Sequence, residues 1–212
     1  MGRDREVVRT EDYYFKLADT CLKRRDFTNA LEAVNAGLKF FNKSPQLELA
    51  AGVAYYGLRR FPESIDSFLR TIELDPTLEQ PYMFLGRMLE QAEDQLPRIR
   101  KAFAQFARSA PDNYLSLFLY AKSLSLNDPG QAETLLRKSI SRNGRFAESQ
   151  FELGAVLERQ GRFEESASAM RRAIELNPKD PVAHYRLARI YDRLGKPDQA
   201  TAERELHARL LQ

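Results

Sequence analysis

Arg186, Arg189 and Arg193 step by three and four along the chain, so a helix would carry all three guanidinium groups on one side. Guanidiniums gathered in this way hold a carboxylate or a phosphate through paired N–H donors. Glu152, Glu158 and Asp192 are near enough to pair with them instead, and a solvated ion network is the competing reading. The remaining chemistry-bearing residues are sparse. His184, His207 and Cys21 show no metal-ligand spacing, and a lone cysteine excludes an internal disulfide framework. The stretch from Gly52 to Gly57 lacks the Lys-Ser/Thr that a phosphate loop needs. Glu63, Asp66, Glu164, Glu165 and Glu175 fall on outward helix faces, where solvation accounts for them. Asn42 to Ser44 matches a glycosylation acceptor, a pattern that arises by chance. These residues predict no enzyme, no cofactor and no metal site.

What must position the arginines is a repeat. The segments from Phe27 to Ala30, Phe61 to Ser64, Phe163 to Ser166 and Pro197 to Ala200 all fall on a 34-residue period. Such a period marks stacked supersecondary units that bury their apolar faces only against one another. The register starts at Glu11, giving copies 11–44, 45–78, 79–112, 113–146, 147–180 and 181–212, with 1–10 as an N-terminal extension or expression remnant. Small residues recur at the eighth place (Ala18, Gly52, Gly86, Gly154, Ala188) and the twentieth (Ala30, Ser64, Ala132, Ser166, Ala200), where two helices can approach closely. Larger apolar residues fill the twenty-fourth place: Val34, Phe68, Leu136 and Met170.

Helix punctuation agrees with that register. Ser44, Asp128 and Asp180 each precede a proline, an N-cap oxygen before a residue whose missing N–H costs nothing at the first helical position. Pro62, Pro97 and Pro197 open second helices, while Pro76, Pro111 and Pro178 follow helix exits. Apolar residues between them keep helical spacing, which leaves no room for strands. Copy three departs from the pattern, since Arg98 stands where Ala or Ser stands elsewhere. Sliding its second half by one residue places Ile99, Phe103 and Phe106 inward, so the segment 92–95 holds one extra residue, as a recognition loop or as drift.

These residues resemble the tetratricopeptide repeat: Leu85-Gly86, Leu153-Gly154 or Leu187-Ala188, an aromatic three places later as at Tyr55 and Tyr191, then Ala or Ser, and a closing Pro76 or Pro178. The resemblance implies an all-α, right-handed superhelical solenoid of about twelve helices. It also implies a concave groove lined by the first helix of each copy, where a protein or peptide partner binds. The fifth place there is apolar in all six copies, Phe15, Leu49, Met83, Leu117, Phe151 and Tyr185, with Val53, Tyr56, Phe118 and Leu124 around it. This ladder is expected either to form an accessible stripe, with a pocket near Met83, Leu117 and Phe151, or to pack between first helices. Arg159 falls at the groove place beside the Arg186, Arg189 and Arg193 ledge. The family's terminal-carboxylate clamp of Lys, Asn, Asn, Lys and Arg is not matched: Phe15, Asp19 and Ala50 stand in its places, and from copy four only Arg186 fits.

The charge balance excludes a nucleic-acid reader. Residues 1–112 carry 17 basic and 17 acidic side chains, and the net charge of +3 comes wholly from the remainder, 16 against 13. No apolar run is long enough for a membrane helix, and no secretory signal opens the chain, so it reads as cytoplasmic, or periplasmic if a leader has been removed. Cys21, at the place of Tyr55 and Tyr191, reads as a small buried apolar residue. A last helix over about 198–211 is expected to cap the array, with polar Arg204 and His207 outward. The expected function is a non-catalytic protein-binding scaffold. The alternatives are a self-associating module, or the non-catalytic part of a larger enzyme or secretion or assembly component.

Overall fold

The computed structural model describes residues 9–212, and these contain twelve α-helices and no strand. They pair as the register requires: α1 Glu11–Lys23 with α2 Phe27–Leu38, α3 Pro45–Gly57 with α4 Phe61–Leu74, α5 Glu79–Arg87 with α6 Leu96–Ser109, α7 Tyr114–Leu124 with α8 Pro129–Arg142, α9 Ala147–Arg159 with α10 Phe163–Leu176, and α11 Pro181–Arg193 with α12 Pro197–Leu210. The chain divides within α6 into two compact units, one ending at Ala102 and the other running from Phe103 to Gln212. In a repeat array each copy packs mainly on its neighbours, so compact subsets of this kind are expected.

Local chemistry sets the helix ends. Ser44 Oγ accepts from Leu47 N at 3.1 Å, Asp128 from Gln131 N at 3.0 Å and Asp180 from Val182 N at 2.9 Å, each just before the proline that opens α3, α8 or α11. The turns between paired helices share one device at the fifteenth place, where Arg25, Arg59, Gly161 and Gly195 all take left-handed φ values of 60, 59, 76 and 68°. The next residue then donates five residues back: Asp26 to Cys21 O, Arg60 to Tyr55 O, Arg162 to Leu157 O and Lys196 to Tyr191 O, at 2.9 to 3.0 Å. Glycine meets this conformation freely, whereas a side chain pays about 1–2 kcal/mol. The turn geometry is therefore imposed by the helix pair and not by the residue.

The eighth and twentieth places interlock. Ser64 Oγ donates to the Gly52 carbonyl at 2.8 Å, and Ser166 Oγ donates to the Gly154 carbonyl at 2.7 Å, all in buried surroundings. A Cβ on Gly52 would stand 2.5 Å from the Phe68 ring, and one on Gly154 would stand 2.9 Å from Met170 Cε. The crossing is thus too close for any side chain at the eighth place of these two copies.

Copy three takes up its extra residue by shortening α5 and adding two 3-10 turns, Leu89–Gln91 and Glu93–Gln95. Gln95 Nε2 reaches Pro62 O at 3.2 Å and Arg98 reaches Asp66 at 2.5 Å, which fastens the turn to the start of α4. Ile99, Phe103 and Phe106 are buried, as the one-residue slide requires.

Two details differ from the expectation. Cys21 is half-buried against the core around Tyr14, Ala30 and Val34 instead of enclosed by it. His207 is not turned outward: its Nδ1 lies 2.8 Å from Pro181 O and its ring 5.4 Å from that of Tyr185, so α12 folds it back onto the start of α11. Arg204 is exposed and pairs with Asp192.

Candidate functional site

In the first unit the face offered by α1, α3 and α5 carries Phe15, Leu49, Val53 and Tyr56, all half-buried, and Met83, 42% exposed. The Tyr56 ring meets Phe61 and Phe84 edge-on at 6.1 and 5.6 Å, so it is held by α4 and α5 while its free edge stays accessible. One buried carboxylate escaped sequence reading. Glu48, in the first turn of α3, is nearly enclosed; burial pushes its carboxyl above the usual range, against the opposing pull of Arg70 at 3.0 Å.

The second unit treats its apolar places unequally. Leu117 and Phe118 are only 4% and 8% exposed, and Leu124 is buried too, so these three belong to the packed interior and are not presented as the accessible stripe requires. The reason is that α7 is apolar nearly all round. Such a helix is covered on every side, and Phe118 is itself closed over by Phe146 edge-on at 5.0 Å. Phe151 is half-buried beneath Arg186, whose guanidinium sits 5.3 Å from the ring centre. Tyr185 is 46% exposed.

The four arginines come together. Arg159, Arg186, Arg189 and Arg193 line one open cleft of about 450 Å³ with Glu158, Gly161 and Phe163. Helices α9 and α11 supply the arginines from their C-terminal halves, and the turn into α10 supplies Gly161 and Phe163. Those last two were not singled out from the sequence, although their turn places recur in every regular copy. Arg159 donates to the Ser125 carbonyl at 3.3 Å. Of the three carboxylates expected as partners only Glu158 serves, 3.5 Å from Arg186 and 3.8 Å from Arg189. Asp192 is taken by Arg204, and Glu152 is buried in α9. Among the described residues Arg193 forms no ion pair.

The second-helix face of the same unit offers the opposite case. Arg137, Arg162 and Arg172 meet Glu133, Glu165 and Glu175 one for one, with Arg162 at 2.8 Å from Glu133 and 2.6 Å from Glu165. The Arg162 hydrogen bond holds the Glu165 carboxyl below its ordinary range. That network is satisfied within the chain, and the α9–α11 cleft is not.

Among the described residues there is no group of three or more His, Cys, Asp and Glu able to hold a metal ion, and no helix long and apolar enough to cross a membrane.

Comparison with known proteins agrees with this architecture. The chain is 22% identical to Hsp70-Hsp90 organizing protein 1 of Glycine max over 193 residues, which is 86% of this chain and 32% of that one. The corresponding protein of Triticum aestivum matches at 20% over the same share. The chain thus spans about a third of the length of these relatives. Among solved structures it is similar to PilW, a widely conserved type IV pilus biogenesis factor, with a TM-score of 0.75, 16% identity and coverage of 91% and 90% of the two chains. It is also similar to YrrB, described as a TPR protein with an unusual peptide-binding site, with a TM-score of 0.65, 15% identity and coverage of 84% and 92%. Tetratricopeptide repeat profiles match residues 15–79, 123–181 and 169–202, more than half of the sequence. With paired helices crossing at the small residues those profiles share, the chain belongs to the tetratricopeptide repeat family.

Proposed function

We propose that this chain is a non-catalytic scaffold that binds a peptide or an amphipathic helix of a partner protein along its first-helix faces. The observation that carries this reading is the exposure of Met83 and Tyr185 at the same repeat place, beside half-buried Phe15, Leu49 and Phe151. Packing within each unit leaves these apolar side chains unused, and an amphipathic partner would remove them from water. The peptide-binding description of YrrB and the organizing role named for the plant relatives support it.

A photo-crosslinking residue at position 83 or 185 tests the idea in a lysate of the source cell. Each should capture a discrete set of proteins, and the same residue at position 172, on the second-helix face, should not. Equal capture from all three positions would overturn the reading.

Self-association is favoured by a separate observation. The third and seventh places are buried in copies two to six, but in copy one they are Tyr13 and Leu17, 41% and 44% exposed. A second copy's α1 is the fitting cover, because the outward places of α12 carry Thr201, Arg204 and Ala208 and offer little apolar surface. Light scattering should then show a concentration-dependent dimer that Leu17→Glu converts to monomer. A monomer at all concentrations would remove this reading.

A further inference from the structure

We infer that the cleft between the C-terminal halves of α9 and α11 docks an acidic segment of a partner protein, with side-chain carboxylates two residues apart on an extended strand seated on Arg189 and Arg193. This deepens the scaffold reading and rests on it. Four guanidiniums line one cleft with a single carboxylate among them. At 3.5 and 3.8 Å, Glu158 stands well beyond the roughly 2.7–2.9 Å of a charge-assisted hydrogen bond, so it leaves most donors of Arg186 and Arg189 unused. Arg193 has no ionic partner among the described residues. The contrast with Arg162, held at 2.6 and 2.8 Å by two carboxylates of its own chain, shows what a self-satisfied arginine looks like in this unit.

Spacing favours more than one carboxylate. Arg189 and Arg193 are four residues apart, about 6 Å of helical rise, and alternate side chains of an extended peptide are about 6.6–7 Å apart. A cleft of about 450 Å³ has room for two such groups. The partner is a polypeptide and not a nucleic acid because the basic surface is short. At the opposite ends of the same two helices stand Glu148 in the first turn of α9 and Asp180 capping α11, where a continued phosphate backbone would meet like charge.

The test is fluorescence anisotropy on the full chain with four labelled probes. The first is a decapeptide alternating glutamate and threonine with both ends blocked, and the second is its glutamine counterpart. The third is that counterpart with a free C-terminal carboxylate, and the fourth is a ten-nucleotide oligoribonucleotide. The acidic peptide should bind saturably and at least tenfold more tightly than the other three. Arg189→Glu with Arg193→Glu should weaken it at least tenfold and flatten the fall of affinity with salt. Arg189→Gln with Arg193→Gln should weaken it by a smaller factor, while Arg137→Glu on the other face should leave it unchanged. Both target arginines are exposed, so a thermal melt that matches the parent shows the variants are folded.

Equal affinity for the glutamine peptide, tighter binding of the oligoribonucleotide or of the free carboxylate alone, or indifference to the charge reversals would each overturn the inference. If these fail while crosslinkers at positions 83 and 185 still capture partners, the scaffold reading stands and only the acidic segment is lost.

Discussion

Replacing Phe68 by alanine should cost about 3–5 kcal/mol, the range for deleting a fully buried aromatic ring. The ring lies in the crossing of α3 and α4, stacked on Phe84 at 4.8 Å and 12° between planes, so the surroundings cannot collapse into the space it leaves. Gly52→Ala tests the same crossing from the other side. Its methyl would stand 2.5 Å from a ring that Phe84 pins, an overpacking cost of about 1–3 kcal/mol, offset by about 1 kcal/mol of helix propensity. In the double variant the methyl enters the space the ring vacated. The two changes should therefore be less damaging together than their sum by about 1–3 kcal/mol. Denaturant titration of the four proteins of the cycle, followed by hydrogen exchange in α3 and α4, gives the coupling. Additivity within about 0.5 kcal/mol would mean that the glycine and the phenylalanine do not interlock.

Leu117→Ala should destabilise by about 2–5 kcal/mol, as for a buried leucine, while Tyr185→Ala at the same repeat place should cost well under half as much. The sequence treats the two residues alike, each at the fifth place of a first helix. Burial separates them: Leu117 is inside α7's packed surroundings and Tyr185 faces solvent on one side. The measurement is again a denaturant midpoint, read by hydrogen exchange in α7 and α11. A Leu117→Ala loss below about 1 kcal/mol would return that residue to the accessible ladder and remove the packing argument built on α7.

What the sequence by itself determined about this protein are features that local rules set and repetition amplifies. N-cap oxygens before Pro45, Pro129 and Pro181, the left-handed fifteenth place, and the pairing of Gly52 with Phe68 and Gly154 with Met170 depend on residues near in sequence, and the 34-residue period confirmed each by recurrence. The one-residue slide in copy three was legible for the same reason. Only the tertiary structure decided exposure and ion pairing. The fifth place is buried at Leu117 and open at Met83 and Tyr185, because accessibility depends on what neighbouring helices bring to a place and not on the place itself. The arginines of α9 and α11 shared a face on the page, but whether carboxylates neutralised them turned on reach: α12 carries Arg204 to Asp192, α9 folds Glu152 inward, and Glu158 alone is left to the cleft, too distant to fill it. Long side chains choose partners across helices, and that choice is made by a few ångströms that no spacing in the sequence records.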